Sequence, residues 1–125
     1  RACPLFVPLV EEGWLDSEAS RLIAREYLAP VADAHVDTLV LGCTHYPLLK
    51  RLIGETVGGD VRLIDSAEQT AAATRRELDR LGLLAPKSAA PRHRFIASDA
   101  PQQFLALGQR FLGAAIDRVE TLTLG

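Results

Sequence analysis

Short apolar runs alternate with segments of helical periodicity along most of the chain, and this alternation is the strongest constraint on its fold. We assign strands to five such runs, at residues 5–9, 36–41, 61–64, 94–97 and 121–124. Strands that alternate with helices are joined by crossovers and give mainly parallel sheets with helices on their faces. The sequence therefore predicts an α/β fold with a mainly parallel sheet and flanking helices.

Three helices are predicted from capping residues and from apolar side chains at helical spacing. The expected limits are Asp16 or Ser17 and Pro30 for the first, a capping box of Ser66 and Gln69 and then Gly82 for the second, and Pro101 and Gly113 for the third. The apolar stripes of these helices are interpreted as core. Residues 84–93 contain two prolines and no periodicity, so they are expected to form a loop.

Composition narrows the class of partner. The chain has 125 residues, 48% of them hydrophobic, and a net charge of −2 with scattered basic residues. This pattern allows a packed core and lacks the basic stripe of a nucleic-acid binder, so we expect a small-molecule partner and no nucleic acid.

Residues 38–49 are too few to span a membrane and no signal peptide is apparent, so no membrane association is expected. Two cysteines make no disulfide framework, which favours a reducing cytoplasm.

The residues most suited to chemistry are Cys43, Thr44 and His45, which follow a predicted strand and precede a helix beginning near Pro47. Open α/β sheets bind ligands at the carboxyl ends of their strands. A thiol near a helix N-terminus or a protonated histidine becomes a better base or nucleophile. Backbone amides and the Thr44 hydroxyl can donate to an anion such as a carboxylate.

Other interpretations of the same residues remain open. Cys43 could be a small apolar side chain at a strand end, and His45 could be a loop histidine bonded to water or backbone. His35 and His93 lie in polar or irregular sequence and are expected to be solvated. A zinc site would need about four ligands, and no second Cys/His cluster accompanies Cys43 and His45, so no metal is expected.

The string Leu-Gly-Cys-Thr-His-Tyr-Pro-Leu-Leu at residues 41–49 resembles the second cysteine motif of glutamate racemases, in the aspartate/glutamate racemase family. Residues 2–11 resemble the strand and loop that precede this motif, and Ile64-Asp65-Ser66 resembles the end of the next strand. Related aspartate racemases usually carry an acidic residue at the position of His45, which favours glutamate as substrate. The resemblance covers nearly the whole chain and implies the C-terminal half of such an enzyme.

The resemblance also implies roles for particular residues. Cys43 corresponds to the thiol that exchanges the α-proton on one face of glutamate, and Thr44 to a substrate-binding residue beside it. His45 corresponds to a histidine that assists this cysteine, and Glu11 to an acidic partner of the histidine. The alternative for Glu11 is a solvated surface carboxylate next to another glutamate. Cys3 matches a position with no catalytic role and is assigned to the core.

In the family that the chain resembles, each of two similar α/β domains supplies one thiol, and glutamate binds between them without pyridoxal phosphate or metal. Residues 1–65 are expected to belong to the second domain and residues 66–125 to return to the first. The resemblance further implies a bacterial cytoplasmic isomerase that supplies D-glutamate for peptidoglycan and hence for cell shape, with no cofactor and with homodimerisation left open.

The family's first catalytic cysteine and its aspartate-serine-glycine motif have no counterpart in the chain. The chain contains no methionine and begins at Arg1, so we expect further residues upstream, and we expect the 125 residues alone to be inactive. Two alternatives stay open: a non-catalytic binding or structural piece, or another two-cysteine racemase, isomerase or decarboxylase on the same scaffold.

Overall fold

The computed structural model describes residues 1–86, 90–113 and 116–123. The chain divides into two compact units, Arg1–Leu84 and Ala85–Gly125. Each unit contains a pair of parallel strands together with at least one helix, which confirms the predicted α/β class. The division expected after residue 65 concerns the intact enzyme, and it stays a prediction.

The first unit contains five of the helical segments and one parallel strand pair. Its elements are α1 (Phe6–Glu11), α2 (Glu18–Asp33), β1 (Thr38–Leu41), a 3₁₀ helix (Tyr46–Leu49), α3 (Lys50–Val57), β2 (Arg62–Asp65) and α4 (Ser66–Arg80). Leu41 lies opposite Asp65 in the β1–β2 register. Because the strands are parallel, the loop after β1 and the start of α4 lie at the same edge of the sheet.

A single apolar cluster holds α1, α2, β1 and α3 together. Its buried members are Cys3, Phe6, Leu9, Val10, Ala24, Leu28, Leu41, Leu49, Leu52, Ile53 and Val57. Phe6 is at its centre, with its ring edge-on to Tyr27 and to Tyr46 at centroid distances of 5.6 and 5.4 Å. Such edge-to-face pairs add about 0.5–1.5 kcal/mol beyond the burial of area.

The strand predicted at residues 5–9 is wrong, because the segment forms helix α1. Phe6, Leu9 and Val10 are buried while Leu5 is 47% exposed, a spacing that suits one face of a helix rather than alternating faces of a strand. Pro8 is tolerated because it occupies the first turn, where a backbone N–H has no partner within the helix. The unbroken apolar composition of residues 5–9 concealed this helical spacing.

Two helix limits also differ from expectation. Helix α2 continues through Pro30 to Asp33, so the proline lies inside the helix and does not limit it. Helix α4 is capped by Asp65, whose Oδ1 accepts hydrogen bonds from the amides of Ala67 and Glu68 at 2.8 and 3.1 Å, rather than by a box that starts at Ser66. The Ser17 cap of α2 is confirmed, since its side chain accepts from the Ser20 amide at 3.1 Å.

The predicted end of α4 at Gly82 is confirmed by its capping geometry. Gly82 has a φ of 67°, a left-handed conformation that glycine adopts without steric cost. The amides of Gly82 and Leu83 bond to the carbonyls of Asp79 and Leu78 at 3.0 and 2.8 Å. These two bonds form a Schellman motif, which satisfies carbonyls left free at the helix end.

The second unit contains β3 (Ile96–Ala97), α5 (Pro101–Leu112) and β4 (Glu120–Thr121), with β3 and β4 parallel. The predicted start of the third helix at Pro101 and its end at Gly113 are confirmed. Both strands are shorter than expected, and Leu124, in the strand expected at residues 121–124, lies outside the described residues. Ile116 is fully buried beneath Gly108, where an added Cβ would come within 2.8 Å of the Ile116 Cδ1 atom.

Candidate active site

The loop that leaves β1 turns tightly into the 3₁₀ helix. The Tyr46 amide donates to the Cys43 carbonyl at 3.2 Å, and the Leu48 amide donates to the His45 carbonyl at 3.1 Å. Cys43 is a free, partly buried cysteine, and Thr44 beside it is exposed. This turn holds the cysteine, threonine and histidine side by side at the carboxyl end of the strand, as the sequence predicts.

His45 contacts a side chain from each of two segments. Its Nε2 lies 3.3 Å from Oε1 of Glu11, and its Nδ1 lies 3.3 Å from Oγ1 of Thr44. An ionised carboxylate only accepts, so Nε2 donates to Glu11, and in the neutral ring Nδ1 then accepts from the Thr44 hydroxyl. The histidine side chain is 20% exposed and that of Glu11 is 44% exposed, so solvent weakens the pair without removing it.

Helix α1 places Glu11 in this arrangement. Glu11 is the last residue of the helix, whose apolar face is buried against the core, and its carboxylate therefore projects from a packed element. The helix also packs against the 3₁₀ helix that follows the cysteine. The structure thus brings together all four residues that the sequence placed in the site: Glu11, Cys43, Thr44 and His45.

Cys3 belongs to the core, as predicted, and is 5% exposed. Burial raises the pKa of its thiol above the ordinary value of 9.0, although the nearby N-terminal charge opposes the shift. The Cys3 thiol is therefore protonated at neutral pH. The two cysteines occupy different environments, since Cys3 is enclosed and Cys43 reaches the surface of the sheet edge.

Sequence reasoning gave no role to Tyr46, which joins the site loop to the core. Its hydroxyl donates to the Cys3 carbonyl at 3.4 Å, and its ring packs on Phe6. Burial raises the pKa of Tyr46 above 10.0, and negative charge on Cys3 and Cys43 adds to the shift. The only sequence signal was an aromatic residue directly after the Cys-Thr-His triplet.

A second polar group lies at the same sheet edge. Lys50 Nζ is 2.8 Å from Glu68 Oε1 and 3.7 Å from Oδ2 of the buried Asp65. The lysine pKa is raised, first by its hydrogen bond to Glu68. This group connects the start of α3 to the start of α4, and the sequence did not predict it.

Over residues 1–86, 90–113 and 116–123, no group of three or more His, Cys, Asp or Glu side chains could hold a metal ion. In the same part of the chain, no helix is both long enough and apolar enough to cross a membrane. His35 is exposed and has a positive φ of 49°, and His93 is also exposed. Neither histidine lies in the group formed by Glu11, Cys43, Thr44 and His45.

The chain is similar to individual known proteins and solved structures, although no family model matches it. A glutamate racemase from Geobacter metallireducens is 54% identical over 124 residues, which are 99% of this chain and 46% of the relative. A crystal structure of glutamate racemase from Thermus thermophilus in complex with β-chloro-D-alanine superimposes with a TM-score of 0.87 at 44% identity, covering 98% of this chain and 46% of that one.

A second solved structure gives the same result. The glutamate racemase from Francisella tularensis in complex with D-glutamate superimposes with a TM-score of 0.83 at 35% identity and covers 97% of this chain. The chain spans about half the length of the curated relatives that it matches. It is a homologue of the C-terminal half of glutamate racemases, and the fold and family that the sequence predicted are both confirmed.

Proposed function

We propose that this chain is the half of a glutamate racemase that carries one of two catalytic thiols, Cys43, for interconversion of L- and D-glutamate. The observation that carries the proposal is the contact of Glu11 with His45, which is bonded in turn to Thr44 next to the cysteine. This arrangement lies within a chain 54% identical to a named glutamate racemase. The same arrangement in an unrelated chain would support only a reactive thiol.

The chemistry needs a base on one face of the substrate and an acid on the other. In the proposed reaction, the Cys43 thiolate removes the α-proton, so that the Cα–H bond breaks, an S–H bond forms and the electron pair remains on the substrate as a carbanion. A second thiol then donates a proton to the opposite face. In the reverse direction the second thiol removes the proton and Cys43 donates it.

The other three residues support this exchange. A positive charge on His45 stabilises the neighbouring thiolate, and the Glu11 carboxylate stabilises that charge in turn. When His45 carries this charge, its Nδ1–H donates to the Thr44 hydroxyl oxygen, and the hydrogen of that hydroxyl is then free to bond a substrate carboxylate. Cys43, Thr44 and His45 therefore serve as substrate-binding residues, and Cys43, His45 and Glu11 form the acid/base group.

The second thiol must come from outside the 125 residues, because Cys3 is enclosed in the core. Exposed apolar side chains support a missing partner half. Leu81 and Leu83 after α4 are 50% and 65% exposed, and Phe104 in α5 is 44% exposed. Such surfaces are usually covered by another segment or subunit. In the intact enzyme residues 1–65 would form part of the second domain and residues 66–125 would return to the first.

The proposed wider role rests on the resemblance to glutamate racemases. An enzyme of this kind supplies D-glutamate for bacterial peptidoglycan in the cytoplasm, and so contributes to cell-wall biogenesis and cell shape. It needs no cofactor, because both proton transfers are made by side chains. Homodimerisation of the intact enzyme remains compatible with this function.

Mixing the chain with its missing N-terminal half tests the proposal. Optical rotation of L-glutamate should stay constant with the chain alone and should decay towards zero when the N-terminal half is added. A mixture that contains Cys43→Ser in place of the native chain is the matched control and should be inactive. Steady racemisation by the chain alone, or by the Cys43→Ser mixture, would show that the proposed two-thiol reaction is wrong.

A further inference from the structure

We infer that Tyr46 is a positioning residue, which anchors the Cys43 loop (residues 42–46, from the end of β1 to the first residue of the 3₁₀ helix) to helix α1 and thereby keeps His45 within reach of Glu11. The inference rests on the proposed function, because it concerns the same acid/base group. It adds a residue that neither the Cys-Thr-His triplet nor its acidic partner includes. Tyr46 acts through other residues and needs no contact with substrate.

The Cys43 loop and helix α1 meet at two places. At one end of α1, the Tyr46 hydroxyl donates to the Cys3 carbonyl at 3.4 Å and its ring packs edge-on against Phe6 at 5.4 Å. At the other end of the helix, Glu11 lies 3.3 Å from His45. Adjacent residues of the loop thus contact opposite ends of one six-residue helix.

The two contacts differ in how far they are buried from solvent. Phe6 is 1% exposed, so the tyrosine contact is buried and apolar, whereas Glu11 is 44% exposed. A partly exposed polar contact of this kind does not by itself fix two segments, because it gains little free energy over solvation by water. The aromatic contact with the buried Phe6 therefore sets the loop position, and the contact between His45 and Glu11 depends on it.

Tyr46 is also coupled to the cysteine through the backbone. Its amide donates to the Cys43 carbonyl at 3.2 Å, so displacement of the ring would move the turn that holds the thiol. Tyr46 is partly buried, and burial raises the pKa of its hydroxyl, so the hydroxyl is protonated and can donate at neutral pH. The hydrogen bond to the Cys3 carbonyl is therefore intact at neutral pH.

Tyr27 provides a matched control within the chain. Its ring also packs edge-on against Phe6, at 5.6 Å, but it belongs to α2 rather than to the Cys43 loop. Tyr27→Leu and Tyr46→Leu each remove one aromatic contact from the same phenylalanine. An effect on the site that depends only on loss of core packing would appear with both substitutions.

The experiment is a double-mutant cycle on the 125-residue chain, with iodoacetamide as the probe of Cys43. Cys3 and Cys43 fall in different tryptic peptides, because Arg21 and Arg25 lie between them, so mass spectrometry follows each thiol separately. Glu11→Gln should slow alkylation of Cys43 at neutral pH by about threefold, the size expected for a partly exposed charge pair. The alkylation rate of Cys43 is measured across a range of pH. Loss of the Glu11 carboxylate should change the pH dependence of this rate and not only its value at neutral pH.

The decisive comparison is the effect of Glu11→Gln in the two backgrounds. With Tyr27→Leu the slowing should persist, and with Tyr46→Leu it should disappear. Equal slowing in both would overturn the inference. If Glu11→Gln has no effect in the native chain, the acid/base role in the proposed function fails instead. If Tyr46→Leu does not fold, Tyr46→Met takes its place, because it also removes the ring but fills more of the space with a flexible apolar side chain: reduced slowing supports the anchor, and unchanged slowing overturns it.

Discussion

His45 Nε2 lies 3.3 Å from Glu11 Oε1, although the two residues are 34 positions apart in the sequence. The contact is possible because α1 and the 3₁₀ helix after the cysteine pack on the same apolar cluster. It joins a carboxylate at the end of one helix to a histidine in the turn between β1 and the 3₁₀ helix. The first prediction tests whether this contact serves catalysis in a full-length protein, meaning this chain joined to its missing N-terminal half.

Glu11→Gln should lower kcat/KM for glutamate in the full-length protein. The carboxylate acts on the histidine rather than on the substrate, so a loss of about tenfold is expected, below the roughly 100-fold or more that follows loss of a direct acid or base. Glu12→Gln is the control, because Glu12 is exposed and lies next to Glu11 beyond the helix. Similar losses in both variants would contradict a specific role for Glu11.

His45→Asn should reduce kcat more than it raises KM, because the proposed role is acid/base assistance to Cys43. His35→Asn is a suitable control, since His35 is exposed and its positive φ of 49° is one that asparagine tolerates. Steady-state rates with each glutamate enantiomer provide the measurement. A change confined to KM would make His45 a binding residue instead.

Asp65→Ala should destabilise the chain by about 1 kcal/mol, the usual cost of losing a helix cap. The cap accepts two amide hydrogen bonds and Asp65 is buried, whereas Ser66, the residue expected from the sequence, follows it in the first turn. Ser66→Ala should therefore change the free energy of unfolding by less than about 0.5 kcal/mol. Urea unfolding of both variants measures the difference, and a larger loss with Ser66→Ala would contradict the assignment.

Stability should fall at alkaline pH because burial raises the pKa values of Cys3 and Tyr46. Folding favours the protonated form of each group, so their contribution is complete below the ordinary values of 9.0 and 10.0 and is lost as pH rises above them. Urea midpoints between about pH 7 and about pH 10.5 measure this loss. Cys3→Ala should lose less stability over that interval than the native chain, and an equal loss would contradict the burial effect.

The sequence predicted the elements whose signals are local. Ser17 was found because a capping serine precedes a periodic segment, and Gly82 because glycine suits a left-handed helix end. Helix α1 was missed because Phe6, Leu9 and Val10 are helically spaced within a run so apolar that it also fits a buried strand. Burial by the tertiary fold selects between these two structures, and it is not a local property.

The site shows the same division between local and long-range information. Cys43, Thr44 and His45 were predicted because they are consecutive and follow a strand. Glu11 was identified through a resemblance, since nothing in its local sequence distinguishes it from Glu12. Tyr46 could not be assigned, because its role depends on contacts with Cys3 and Phe6 that are more than 35 positions away.

The most direct measurement of the central claim is racemisation by the full-length protein with Cys43→Ser. An alcohol is far harder than a thiol to ionise into a base at neutral pH, so optical rotation should stay constant from either enantiomer. Cys3→Ala, which removes the buried thiol of this half but keeps the backbone carbonyl that Tyr46 contacts, should still racemise glutamate. Racemisation by Cys43→Ser at the native rate would contradict the assignment of Cys43 as a catalytic thiol.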